Sequence, residues 1–449
     1  MFRLNFKIAF RSLMRYKAIS IINIAGLALG LSSCFLLLLY ISYERGYDRQ
    51  FSDSDRLYQV MINLYDTDGS ILRTIDQTQN VVAGTLKSDF PEVEESARLT
   101  GSYARLLKAG DNSLKLQSRY ADANIFALFD YTFLSGNPAN ALTDPNSIVL
   151  TETAAEQLFG TKNVLNKSVK FEDQASLKVT GVIKDLPANL SYNFQVLTPW
   201  KLFENLNEWP KTPAWGNHDF NTLVKVKSNA DVASLNNKLK GLVKRNLPRA
   251  KEDLFLYPLS DLHLHGSFVN GQPGGGRIQQ IKLLIGLSIG ILLIACINFI
   301  NLATANAQKR AKEIGVKKTI GASRFSLMFQ FILESVILES VILTTVSVLV
   351  SVIVVEFSLP WFNSLLGIQL SIDYFNPLTW LLLFGVLIAT GVLAGSYPAA
   401  YLSGMNAVKS LKNDLNFKQG FNLSFRQLLV IGQFVFAFVL IMATVTIYK

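Results

Sequence analysis

His263 and His265 form an H-x-H pair within Asp261-Leu262-His263-Leu264-His265. Imidazoles on alternate residues of a strand share one face, where they could meet a metal ion. The only other histidine is His218, so a third ligand would have to be a carboxylate such as Asp261. An ordinary strand face is the reading adopted. No G-x-x-x-x-G-K-S/T segment exists to cradle ATP, and Gly274, Gly275 and Gly276 follow no strand that would make a dinucleotide turn. Trp200, Trp209 and Trp215 beside Pro199, Pro210 and Pro213 could line an aromatic pocket, but a packed irregular loop is the simpler reading. No catalytic residue, metal or cofactor is therefore expected, and the chain is read as a non-enzyme.

The elements that carry these residues follow from composition. Half of the 449 residues are apolar and 17% are charged, against about 25% in ordinary globular chains. Residues 18–43, 283–308, 374–408 and 427–448 contain no charged side chain, and 325–357 is interrupted only by Glu334, Glu339 and Glu356. Each is long enough for a bilayer core that needs roughly 20 apolar residues. Residues 18–43 exceed a signal-peptide core and are expected to remain as an anchor. Cys34 and Cys296 both fall inside apolar runs, so no disulfide framework is expected.

Short segments set orientation. Arg3, Lys7, Arg11, Arg15 and Lys17 precede the first run; Lys309 to Arg324 and Lys409 to Arg426 follow the second and fourth. These are expected to be cytoplasmic, while the stretch from Ser358 to Asp373, without Lys or Arg, lies outside. The basic clusters are juxtamembrane, which explains the net charge of +10 without nucleic acid. The expected division is a basic interfacial helix at 1–17, transmembrane segments at 18–43, 281–305, 325–357, 377–404 and 426–448, an exported domain at 44–280, cytoplasmic stretches at 306–324 and 405–425, and a short external loop at 358–376. The fold class is thus an α-helical transmembrane bundle with an α+β exported domain inserted between helices 1 and 2, in a bacterial inner membrane.

Within 44–280, Phe220 to Val226 alternates as a strand, and Val232, Leu235, Leu239, Leu242 and Val243 have the spacing of an amphipathic helix. Ser147 to Leu150 leads through Thr151 or Thr153, either able to cap, into a helix ending at Gly160, and Leu177 to Ile183 reads as a further strand. Asn270 to Gly276 is read as a flexible strap before the second membrane helix. Asn298, Asn301 and Thr304 recur at i, i+3, i+6 and suit helix packing, as do Gly385, Gly391 and Gly395; Pro398 bends or ends the fourth helix. The basic segment from Asn306 to Ser323 is either a topology-setting loop or a lever on which a soluble partner pushes two membrane helices at once.

Lys309-Arg310-Ala311-Lys312-Glu313-Ile314-Gly315-Val316-Lys317-Lys318-Thr319-Ile320-Gly321-Ala322 resembles the FtsX-like, MacB-type permeases of ABC transporters, in which R-x-x-E-I-G-x-x-(K/R)-x-x-G-A follows the second helix. Gly395-Ser396-Tyr397-Pro398-Ala399 resembles the end of that family's fourth helix. Tyr47 to Phe51, Asp55 to Tyr58 and Gly181 to Pro187 resemble its exported, MacB-like periplasmic core domain as found in Bacteroidetes-type members. The resemblance implies that Lys309, Arg310, Glu313, Ile314, Gly315, Lys318, Gly321 and Ala322 lie on a coupling helix contacting a separate cytoplasmic ATPase subunit. It also implies a second permease half or a homodimer, lipid around the helices, and a periplasmic adaptor or substrate outside. Phe425-Arg426-Gln427-Leu428 echoes Phe10-Arg11-Ser12-Leu13, as in relatives duplicated to eight helices, so a second exported domain and three further helices are expected beyond this chain. A membrane-anchored sensor, the rival reading, would need a cytoplasmic output domain larger than these short segments.

Overall fold

The computed structural model describes residues 14, 17–309, 337–377, 379–381, 383–385, 387–392 and 425–447. The expected coupling positions Arg310, Glu313, Ile314, Gly315, Lys318, Gly321 and Ala322 lie outside these, as do Gly395 and Pro398. In chain order the elements are α1 (Lys17–Arg45), β1 (Leu57–Tyr65), β2 (Ile71–Ile75), α2 (Val82–Asp89), β3 (Val93–Leu99), β4 (Tyr103–Ala109), β5 (Asn112–Ala121), β6 (Phe133–Gly136), β7 (Ser147–Thr151), α3 (Glu152–Phe159), β8 (Ser168–Phe171), β9 (Ala175–Ile183) and β10 (Val196–Pro199). They continue with α4 (Trp200–Leu206), β11 (Asn221–Val226), α5 (Val232–Leu239), α6 (Leu242–Asn246), β12 (Glu252–Pro258), α7 (Leu259–His265), β13 (Ser267–Val269), β14 (Gln272–Gly275), α8 (Arg277–Lys309), α9 (Ile337–Leu366) and α10 (Phe425–Ile447). Two compact units result, Met1–Ser42 with Lys282–Lys449, and Tyr43–Ile281.

In the first unit, Lys17–Arg45, Arg277–Asn301 and Val341–Leu366 are long and apolar enough to cross a membrane, and Thr379–Val392 and Val430–Val439 are shorter apolar helices. Leu27, Leu31, Ala295, Phe299, Leu343 and Val348 form the buried centre. Lipid is as apolar as leucine, so close backbone approach rather than hydrophobic transfer must hold such helices together. A Cβ on Gly30 would stand 2.5 Å from Ala295 Cβ, and one on Gly26 3.2 Å from Asn298 Nδ2. Only glycine admits α8 this close to α1. Gly290 admits the Phe436 ring of α10 in the same way, and Gly391 faces Val341 and Thr344 of α9. α9 extends past the expected boundary at 357 through residues 358–366. Leu359 is buried, Ser358 Oγ donates to Val354 O at 2.7 Å, and the helix continues through Pro360.

The second unit is an α+β domain on one mixed sheet, ordered β10-β7-β9-β8-β4-β5-β3-β11-β1-β12, with β2 on β1 and β6 on β9. β10 also pairs with β5 in parallel, so β5, β4, β8, β9, β7 and β10 close into a ring. Alternation sends Leu107, Leu116, Tyr120, Ile148, Leu150, Val169, Phe171, Leu177 and Val179 inward, and Ala154, Ala155 and Leu158 of α3 pack onto the same core. A register shift opposite Ile148 and Val149 allows Val182 to rejoin that side after Val179. Thr151 caps α3, its side chain accepting from Ala154 N, and Gly160 ends the helix at φ 70°. The other half of the sheet buries Val60, Ile62, Val224 and Leu254 against α2, α5 and α6. The single helix expected over 232–243 is two, because the chain turns at Gly241 with φ 71°.

The expected strap at 270–276 is instead part of a hairpin, β13 paired with β14. Asn270 and Gly271 have φ 51° and 74°, as the two central positions of a type I′ turn require. His263 and His265 lie on α7, not on a strand. Positions i and i+2 of a helix diverge by about 200°, so the pair cannot present one face.

Candidate functional site

Both chain termini of the inserted domain converge on one buried carboxylate. Glu44, in the last turn of α1, is 4% exposed at its side chain, with His263 Nε2 2.7 Å from Oε2 and Arg277 Nη1 3.3 Å from Oε1. Arg277 is the first residue of α8. A charge taken out of water is costly unless it is paired and hydrogen-bonded, and His263 of α7 and Arg277 of α8 both supply such contacts to Glu44.

The contacts extend inward from there. Tyr47 stacks flat on the His263 ring, centroids 3.4 Å apart and planes 3° apart, and Tyr43 meets Tyr47 edge-on. Asp48 takes a left-handed conformation, φ 56°, while its N–H donates to Asn189 O. Its carboxylate accepts from Ser191 N at 2.9 Å and Ser191 Oγ at 2.5 Å, and Asn189 Nδ2 donates to Gly46 O. Burial pushes the Asp48 carboxyl above its ordinary pKa, opposed by the Ser191 hydrogen bonds and the nearby His263. Next in the chain, the buried Tyr192 hydroxyl donates to Gln59 Oε1 on β1. Arg49 meets Asp261 of α7 at 3.4 Å with both side chains well exposed, a pair worth about 0–1 kcal/mol. These contacts form a continuous polar chain from the ends of α1 and α8 into the sheet.

Of the segments singled out in the sequence, 47–51 contributes Tyr47 and Asp48, and Asp48 binds Asn189 and Ser191 in the turn that follows Pro187. The contribution of Glu44, His263 and Arg277 had no sequence signal beyond an acid and an arginine at the ends of apolar runs. Among the described residues no group of three or more His, Cys, Asp or Glu could hold a metal ion. Trp200 lies buried beneath the Arg98 guanidinium at 4.1 Å, and Trp209 stacks on Phe220. Asn80 ties down the intervening loop through Pro210 O, Thr212 O and Ala214 N. A cleft of about 910 Å³ opens beside it, lined in part by Asn80, Arg98, Pro210, Pro213 and Trp215.

Of the sequence-selected packing residues, Asn298 adjoins Gly26 and Gly391 adjoins α9. Asn301 Oδ1 is buried without a hydrogen-bond partner among the described residues. Of the coupling positions, only Lys309 falls within the described residues, as the last residue of α8.

Comparison with known proteins divides the chain similarly. Residues 20–242 match the MacB-like periplasmic core domain and residues 285–407 the FtsX-like permease C-terminal family. The uncharacterized ABC transporter permease YknZ of Bacillus subtilis is 24% identical over 74% of this chain and 81% of its own. The macrolide export ATP-binding/permease protein MacB of Campylobacter jejuni is 23% identical over 91% of this chain, and that of Bdellovibrio bacteriovorus 24% identical over 59%. The matches span 61% and 38% of those two proteins, which are correspondingly longer than the aligned part. Among solved structures, a permease domain from Porphyromonas gingivalis aligns at TM-score 0.39 and 23% identity, over 46% of this chain and 93% of its own. The periplasmic region of MacB from Actinobacillus actinomycetemcomitans aligns at 0.35 and 19%, over 49% and 92%.

Proposed function

Because the chain belongs to the FtsX-like, MacB-type permeases of ABC transporters, we propose that it converts ATP hydrolysis on a separate cytoplasmic subunit into movement of its inserted domain. The basic segment from Asn306 to Ser323 is the contact for that subunit, with Arg310, Glu313, Gly315 and Gly321 as its core and Lys309, Ile314, Lys318 and Ala322 alongside. The short basic segments support a cytoplasmic N-terminus, with residues 44–280 outside. A second permease half or a second copy completes the assembly, and the moving domain acts on an adaptor or substrate beyond the membrane, for export or for transmission of force.

The observation that carries this reading is the shared carboxylate at the domain's two ends. A helix rises 1.5 Å per residue, so Gly26 and Glu44 are separated by about 27 Å along α1. Close contact at Gly26 and Gly30 makes α1 and α8 one stiff pair, and Glu44 holds His263 and Arg277 together. In this reading Glu44, with Tyr47, Asp48 and α7, ties together the two ends of the inserted domain where the chain enters and leaves it.

The test is co-purification of the full chain with candidate ATPase subunits in nanodiscs, followed by ATPase rate with and without the permease. Glu313→Lys and Gly321→Trp are expected to abolish the change in rate while thermal unfolding of residues 43–281 stays as in the wild type. Unaltered coupling in both variants would remove the segment from the mechanism. No complex with any ATPase, from folded chain, would favour the sensor reading.

A further inference from the structure

Gln79, His218 and Glu252 meet at one point of the inserted domain, although 34 to 173 residues separate them in pairs. Gln79 lies between β2 and α2, His218 leads into β11, and Glu252 opens β12. Thr78 N donates to Phe220 O and Phe220 N to Thr78 O, which fastens the first two segments together. Gln79 is fully buried, and the side chains of Glu252 and His218 are 6% and 26% exposed.

With the carboxylate ionised, the three contacts cannot all be hydrogen bonds. His218 Nε2 stands 2.7 Å from Glu252 Oε2 and 3.3 Å from Gln79 Nε2, and Gln79 Nε2 stands 2.7 Å from Glu252 Oε1. An Nε2 that carries a proton donates to the carboxylate and meets the amide nitrogen as donor to donor. An Nε2 without one accepts from the amide and meets the carboxylate as acceptor to acceptor. Gln79 Oε1 is meanwhile buried with no hydrogen-bond partner among the described residues, which protein interiors avoid. The carboxylate also lacks a permanent counter-charge. Glu44, buried to a similar degree, has Arg277 beside its histidine. Glu252 has a neutral amide in that place and makes no ion pair with Lys or Arg among the described residues.

A divalent cation relieves all of this at once. It takes the place of the Nε2 proton, so that the imidazole lone pair and the carboxylate both face positive charge. A half-turn of the Gln79 amide exchanges Nε2 for Oε1 and gives that oxygen its partner. Ligands about 2.1 Å from a tetrahedral metal stand about 3.3 Å from one another. One contact of the triangle already has that length, and the other two need to open by about 0.6 Å. The exposed edge of His218 gives a way in and room for water to complete the shell. Imidazole among oxygen ligands suits zinc and its neighbours, whereas calcium and magnesium take oxygen alone.

We propose that Gln79 Oε1, His218 Nε2 and the Glu252 carboxylate bind one divalent transition-metal ion of the zinc class. Only two of the three ligands are His or Glu, and the third is an amide carbonyl. The ion cross-links β12, the entry to β11 and the segment before α2. It thereby anchors the end of the loop whose Pro210, Pro213 and Trp215 line the 910 Å³ cleft. The proposal goes beyond ATP coupling and does not depend on it.

The test titrates Zn²⁺ by calorimetry into the untagged full chain in nanodiscs of zwitterionic lipid, against empty nanodiscs. One ion per chain is expected, undisturbed by excess Ca²⁺. Glu252→Gln, His218→Gln and Gln79→Leu are each expected to weaken binding at least tenfold, the least that loss of even an outer-shell partner costs. His265→Gln, which removes a histidine elsewhere, is expected to bind as the wild type does. Zinc-edge X-ray absorption of the loaded wild type needs no variant to fold and is expected to show one imidazole in a shell otherwise of oxygen. No binding, unchanged affinity in any of the three site variants, or equal loss in His265→Gln would overturn the proposal. So would sulfur or a second imidazole in the absorption spectrum, which would place the ion elsewhere.

Discussion

Replacing Glu44 by glutamine keeps the shape of the side chain and removes its charge, which isolates the electrostatic part of the lock. The His263 contact, 2.7 Å long with both side chains at most 10% exposed, is a hydrogen bond to a charged group, worth about 1.5–3 kcal/mol. The Arg277 contact has a guanidinium 54% exposed and adds about 0–1 kcal/mol. Glutamine still hydrogen-bonds one partner, so about 2 kcal/mol of local stability is expected to be lost, or a thirtyfold rise in opening. Native-state hydrogen exchange of the full chain in nanodiscs reads this segment by segment. Amides in 43–49, 186–192 and 259–266 are expected to exchange about thirtyfold faster, and those of β7, β9 and β10 to stay as they were, because the closed ring has its own core. Unchanged exchange at the three segments would refute the claim that Glu44 holds them. A uniform acceleration across the domain would refute the claim that the lock is local.

Three further outcomes follow from the same contacts. Burial raises the Asp48 pKa in the folded state, so the stability this supplies is fully present below the unfolded value of about 3.9 and is lost as pH rises through the folded one. Unfolding measured from pH 3.5 to 7 is expected to move in favour of Asp48→Asn relative to wild type as pH rises, and a pH-independent difference would contradict the assignment. Gly30→Val places a methyl-bearing Cβ 2.5 Å from Ala295 Cβ, overpacking that costs about 1–3 kcal/mol. A thiol-reactive dye reporting the buried Cys34 and Cys296 is expected to show reaction at a temperature lower by roughly 3–8 °C. Gly271→Ala meets Ile71 Cδ1 at 2.4 Å in a turn of φ 74° and is expected to cost about 1–2 kcal/mol, seen as faster exchange confined to 267–275.

Sequence by itself determined the features that depend on neighbours along the chain. Apolar runs of bilayer length mark α1, α8 and α9, and a strand, a capping threonine and a closing glycine mark β7 and α3, because hydropathy, capping and φ preference act within a few residues. Asn270 and Gly271 read as part of the strap, although Asn-Gly is the pair that a two-residue hairpin turn prefers. Leu262 and Leu264 alternated as a strand would, yet α7 forms because Leu259 and Leu264 find buried positions after Pro258 ends β12. Closure of the ring through the parallel pairing of β10 with β5 could not be read locally, since strand propensity does not name a partner. Nor could the lock, in which Glu44 meets His263 across 219 residues. A buried charge accepts whatever partner the folded chain delivers to it, and only the tertiary structure decides which residue that is.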